Sequence, residues 1–237
     1  MTHRERAGPG PRGDLVKDYY ESLLRRFGRQ RWWPARTRLE VILGAILTQN
    51  TSWRNAALAL KALRAQGLLR IDGLRTVAIR DLETLVRPAG FYRQKAAAIR
   101  GFVDYVDLNC GGSLSTLFAA PEIELRQRLL SLRGLGPETA DAILLYAGRK
   151  AFFVADTYTR RILSRHAWLP PDASYEAAQQ LLHERLPRDP VLFNEFHALL
   201  VETGKRYCTR RAPACLECPL RPYLPAPSRP SVAKAMS

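Results

Sequence analysis

Leu132-Arg133-Gly134-Leu135-Gly136-Pro137-Glu138-Thr139-Ala140 is the stretch that decides the fold. A helical pattern over 121–132 ends as it begins, and a second, over 138–147, starts inside it. The two glycines permit positive φ and let backbone come close to a ligand. The first N–H groups of the following helix lack intrahelical partners and are electropositive, so they suit a phosphate. Gly-x-Gly between helices is also an ordinary tight αα turn. Taken alone, the stretch supports both readings equally.

Working outward, the chain reads as helix almost everywhere. Leu39, Ile42, Leu43, Ile46 and Leu47 recur at helical spacing, with Thr37 placed as N-cap. Ser52 caps a helix over 53–66 that Gly67 stops. Further helices are expected at 15–27, 91–109, 157–168, 175–186 and 191–204. The apolar run 151–154 is too isolated to build a sheet. The prediction is an all-α chain. Residues 1–13 and 226–237 have the Pro, Gly, Ser and charge content of disordered tails.

Composition narrows the function. The 237 residues are 46% hydrophobic and 25% charged, the profile of a globular protein with a real core. No apolar run approaches the ~20 residues of a membrane helix. Residues 1–13 lack the apolar segment of a signal peptide, so a cytoplasmic location and no membrane partner are expected. Against 22 acidic residues stand 37 Lys and Arg, for a net charge of +15. Arg25, Arg26, Arg29, Arg31, Arg36 and Arg38 make one cluster; Arg206, Arg210, Arg211 and Arg221 make another. A field this positive favours polyanions, nucleic acid first.

Asp156, in Val154-Ala155-Asp156-Thr157-Tyr158-Thr159-Arg160-Arg161, stands twenty residues after Gly136. An Asp before a helix is usually an N-cap. Capping would also orient the carboxylate and keep it ionised. Hairpin, spacing and acid together resemble the endonuclease III superfamily of helix-hairpin-helix DNA glycosylases. Three further segments extend the likeness over about 170 residues: Leu43 to Thr51, Gly90 to Ala96, and Cys208, Cys215 and Cys218.

The resemblance implies a two-lobed fold: a helical barrel lobe with the hairpin (36–147), and a second helical lobe (14–35 plus 148–225) ending in the Cys loop. It implies a monomer acting on double-stranded DNA with a damaged base. Gly134, Leu135, Gly136 and Thr139 would belong to the DNA-gripping hairpin. Gln49 would fill the gap left by an extruded base, where its ordinary reading is a polar cap at a helix end. Asp156 would stabilise the positive charge that builds on the sugar and activate water.

Glu138 departs from the pattern. Members that also cut the strand carry a lysine at this position, which attacks the sugar to form a Schiff base; a carboxylate cannot. A monofunctional enzyme that leaves an abasic site is therefore expected. Adenine-mismatch members carry a catalytic Glu near Gly44-Ala45, and Glu40 lies about one turn too early. Arg31-Trp32-Trp33-Pro34 and Thr48-Gln49-Asn50-Thr51-Ser52-Trp53 resemble the 3-methyladenine glycosylases of endonuclease III type. That likeness assigns Trp33, Pro34 and Trp53 to a base pocket, although each aromatic taken singly reads as core. An indole face attracts a flat cationic base, worth roughly 0.5–2 kcal/mol. Other base specificities, and a lesion-binding protein without catalysis, stay open as alternatives.

Cys208-x6-Cys215-x2-Cys218 matches three ligands of the superfamily's [4Fe–4S] loop. Leu224 occupies the fourth position, so the set is one Cys short. Zinc meets the same shortage. The alternatives are a cluster with another fourth ligand and a metal-free basic loop; the missing thiol favours the second.

Overall fold

The computed structural model describes residues 12–30 and 35–225. Among these residues the chain is helical throughout, with no strand, as expected of the all-α class. α1 (Arg12–Phe27) begins inside the stretch 1–13 expected as a tail. The rest of that tail, residues 226–237, and 31–34 with Trp33 and Pro34 lie outside the described residues.

α2 (Arg38–Leu47) and α3 (Trp53–Ala65) start on the expected caps. Thr37 Oγ1 accepts from Glu40 N at 3.2 Å, and Glu40 reaches back to Arg36 N at 2.6 Å, closing a variant of the capping box. Glu40 is buried and paired with Arg64 at 2.8 Å. It is thus a structural acid, held by Arg64 and the Arg36 N–H.

α4 (Ile71–Thr76), α5 (Ile79–Val86), α6 (Tyr92–Cys110), α7 (Leu114–Ala119) and α8 (Glu122–Ser131) follow along the chain up to the hairpin. Periodicity does not reveal α4, α5 and α7, because six to eight residues give at most two apolar repeats. α6 begins at a corner where Phe91 takes the left-handed conformation, φ 46°, and is 62% exposed. One turn on, buried Lys95 donates to Leu47 O at 2.8 Å and Ala89 O at 2.7 Å. This ammonium sits on the negative end of α2 and sets the following loop, which carries Gln49.

The hairpin follows α8. Gly134 has φ 90°, and a Cβ there would stand 3.0 Å from that of Ala98 on α6. Gly134 is thus required both by its backbone angle and by close packing. Gly136 is extended and caps α9 (Pro137–Ala142), with open space where its side chain would be. Only the first glycine of the motif needs its freedom. α9 continues as a π-helical turn, Ile143–Ala147.

Asp141 on α9 is fully buried and holds the hairpin to its neighbours. It accepts from Arg126 Nε at 2.7 Å and Nη2 at 3.0 Å, from Tyr175 Oη at 2.9 Å and from Gln179 Nε2 at 2.7 Å. These donors come from α8 and from α11 (Tyr175–Arg185).

Residues 151–155 then thread the core without joining any ladder. Side chains satisfy their backbone instead. Arg188 donates to Ala151 O at 2.8 Å, Gln179 to Phe153 O at 2.7 Å, and Phe153 N to His183 Nε2 at 2.9 Å. This anchored segment delivers Asp156 to the start of α10 (Thr157–Arg165). α10 packs on α12 (Pro190–Arg206), and α1 packs on α11 and α12. At the α10–α12 crossing a Cβ on Gly204 would come within 2.8 Å of Tyr158 Cβ, so only glycine fits there.

The Phe153 contact requires His183 to be neutral at Nε2. Burial, reinforced by Arg188, pulls its pKa from 6.5 down to about 4. The unfolded chain therefore binds a proton that the folded one refuses between these values. Stability from this group is complete above pH 6.5 and is lost as pH falls toward 4. Thermal midpoints should fall across that window. His166, shifted the same way, contributes too. In His183→Gln the slope should be shallower; an unchanged slope would contradict the assignment.

Candidate active site

A cleft of about 770 Å³ opens between the α2–α3 loop, the hairpin helix and the α10–α12 pair. Asp156 lies in it, 8% exposed. As N-cap, its Oδ1 accepts from Thr159 N at 2.8 Å, so the capping expected from sequence is present. Its Oδ2 faces His197 Nε2 at 3.7 Å, beyond hydrogen-bond length. Burial alone would raise the pKa of Asp156. His197 and Thr159 outweigh it and hold the carboxyl below its ordinary value.

Glu138 lines the same cleft from the first turn of α9. It keeps an open face to solvent, yet protein crowds its carboxyl. That desolvation, with the negative charge of Asp156, raises its pKa; His197 and Arg160 only partly offset this. One cleft thus holds two carboxyls whose surroundings push them in opposite directions.

Of the other residues picked from the sequence, Trp53, Gln49 and Thr139 line the cleft. Trp53 is half-buried on the first turn of α3. Gln49 Nε2 donates to Gly134 O at 2.9 Å and to Thr139 Oγ1 at 3.0 Å. Gln49 thereby ties the α2–α3 loop to the hairpin. Leu135 is buried under the turn and anchors it. Sequence reasoning missed Tyr146, His197 and Lys205, which also line the cleft. The Tyr146 hydroxyl hydrogen-bonds His197 Nδ1.

Cys208, Cys215 and Cys218 do come together, around a space of about 20 Å³ shared with Leu224, Arg165 and His166. That is room for about one water. Arg165 Nη1 donates to Cys208 Sγ at 3.3 Å, and His166 is held by the Tyr19 hydroxyl at 2.7 Å. Among the described residues no group of three or more His, Cys, Asp or Glu is arranged to hold a metal ion. Three thiols around so small a space do not fit a four-thiolate cluster, and no step below involves one.

A helical fold with a glycine hairpin beside a carboxylate-bearing cleft defines a class of base excision DNA repair proteins. The model of the HhH-GPD superfamily base excision DNA repair protein matches residues 43–188, and the chain belongs to that superfamily. It is 39% identical over 211 residues to "Putative DNA repair glycosylase MJ1434" of Methanocaldococcus jannaschii, covering 89% of this chain and 96% of that one. Among solved structures, a non-covalent endonuclease III–DNA complex superposes with a TM-score of 0.76 at 20% identity, over 90% of this chain and 94% of that one, which shows the fold. The 3-methyladenine DNA glycosylase MagIII of H. pylori, bound to 1,N6-ethenoadenine, superposes at 0.70 with 25% identity, over 82% of this chain and 97% of that one. Among the described residues no helix is long and apolar enough to cross a membrane.

Proposed function

We propose that this chain is a monofunctional DNA N-glycosylase that extrudes an alkylated purine from duplex DNA and hydrolyses its glycosidic bond. The observation that carries the reading is the ionised, capped carboxylate of Asp156 in a cleft bordered by the hairpin and by Trp53. A base in a duplex must be flipped out to be reached, and the cleft's size is in the range of small-molecule sites. As the glycosidic bond breaks, the sugar becomes cation-like. Asp156, held ionised, offsets that charge and orients water. Trp53 adds an electron-rich indole to the cleft lining, a group that attracts a flat cationic base. The MagIII likeness supports the same substrate class. The basic clusters and the hairpin suit phosphate backbone.

A second reading has its own observation. Lys205 lines the cleft, and an amine there could attack the sugar in place of the lysine that Glu138 replaces. The test is incubation with duplexes carrying methylated purines, uracil, thymine glycol, or adenine opposite 8-oxoguanine. Fastest release of methylated purine is expected; fastest release of another base would move the specificity while leaving the acid in place.

A further inference from the structure

Asp156 does not face the cleft alone. Behind it, α12 presents His197, and behind His197 the π-helical turn presents Tyr146. His197 is 5% exposed, its ring set edge-on to Phe153 with ring centroids 6.3 Å apart, so it has little freedom to turn. The Tyr146 hydroxyl bonds its Nδ1, and its Nε2 stands 3.7 Å from Asp156 Oδ2. Sequence distance joins these residues through nothing but the fold.

We propose that Tyr146 and His197 form a positioning relay that fixes the orientation and charge of Asp156, a role that rests on Asp156 being the glycosylase acid. The chemistry runs one way. Burial, and then the charge of Asp156, lift the Tyr146 phenol well above its ordinary pKa, so it keeps its proton. The phenol donates to Nδ1, which in a neutral ring leaves the hydrogen on Nε2. Nε2 stands 3.7 Å from Oδ2, while Thr159 N holds Oδ1. Thr159 N thus fixes one carboxylate oxygen and the His197 ring edge faces the other across 3.7 Å, so groups from two helices bear on how the carboxylate is turned.

Other groups around Asp156 must be separated from His197. They are Glu138 on α9, Lys205 on α12, and Tyr158 and Arg160 on its own helix. Tyr175 of α11 is turned to Asp141 instead. The Tyr146 hydroxyl bonds Nδ1, the ring nitrogen away from Asp156, so the Tyr146 variant acts on Asp156 through His197.

The relay is tested in two independent ways. Single-turnover base release from dimethyl-sulfate-treated duplex is followed from pH 4.5 to 9. His197→Phe should slow release about 10- to 100-fold and move the acid limb to higher pH, because Asp156 loses a partner of its charged form. His197→Gln, which keeps a donor, should recover most of the rate, and adding Tyr146→Phe to it should change nothing further. Equal slowing at every pH would mean a purely structural histidine and overturn the relay. Separately, nitrogen-15 NMR at pH 8 should find His197 protonated on Nε2 alone, with its signals moved by Tyr146→Phe and by Asp156→Asn. A proton on Nδ1, or signals indifferent to Asp156, would overturn it without reference to activity. If Asp156→Asn releases base as fast as wild type, the glycosylase reading of Asp156 has failed; the NMR result then decides the relay by itself.

Discussion

Asp156→Asn should melt within about 1 °C of the wild type and lose about 10³-fold in single-turnover base release. The two outcomes separate because the proposed function gives this N-cap a second role. As N-cap its oxygen accepts from Thr159 N, and Asn caps a helix about as well as Asp. As catalyst it must be charged, and Asn is not. Asp156→Ala would confuse the two by also removing the cap, at a cost of about 1 kcal/mol. Activity that survived Asp156→Asn would leave the residue a cap and nothing more. In the wild type the carboxyl sits below its ordinary pKa. The acid limb of the rate profile should therefore lie below the ordinary aspartate range, and an earlier loss of rate on acidification would point to another group.

Asp141→Ala should be the most destabilising single change at the hairpin. The carboxylate is fully buried and answers Arg126, Tyr175 and Gln179 together. Its removal strands a largely buried guanidinium and two polar groups inside the fold. Breaking a buried pair in this way typically costs about 3–5 kcal/mol, which for a chain of this size lowers the melting temperature by roughly 10 °C. Asp141→Asn keeps acceptors for Tyr175 and Gln179 and should fall between the two. Circular dichroism melts read this directly, and an alanine variant within 2 °C of wild type would show that the pair is not holding α8, α9 and α11 together. The effect on base release should follow stability, because Asp141 lies behind the cleft rather than in it.

These two aspartates show what sequence could and could not reveal. The hairpin turn and the capping position of Asp156 are legible because their signal is local: glycines, a helix start and an acid within twenty-five residues. Thr37 and Ser52 were legible as caps for the same reason. Asp141, inside the same motif, gave no sign of its importance, since its partners come from residues 126, 175 and 179. Tyr146 and His197 were invisible for a related reason. They lie 51 residues apart and meet Asp156 only through the packing of α10 on α12 and the π-helical turn. The motif also suggested too much. Gly136 needs no unusual backbone angle, whereas Gly134 does. The long helices followed from apolar repeats, but α4, α5 and α7 are too short to show one.

The central claim is that water, and not a lysine, displaces the base. It is tested by incubating the wild-type protein with methylated duplex, splitting the products between neutral buffer, hot alkali and borohydride. The account predicts free base in every arm, strand breakage in alkali alone, and no covalent protein–DNA adduct after reduction. An adduct trapped by borohydride, abolished by Lys205→Ala, would contradict it and make this protein a lyase as well.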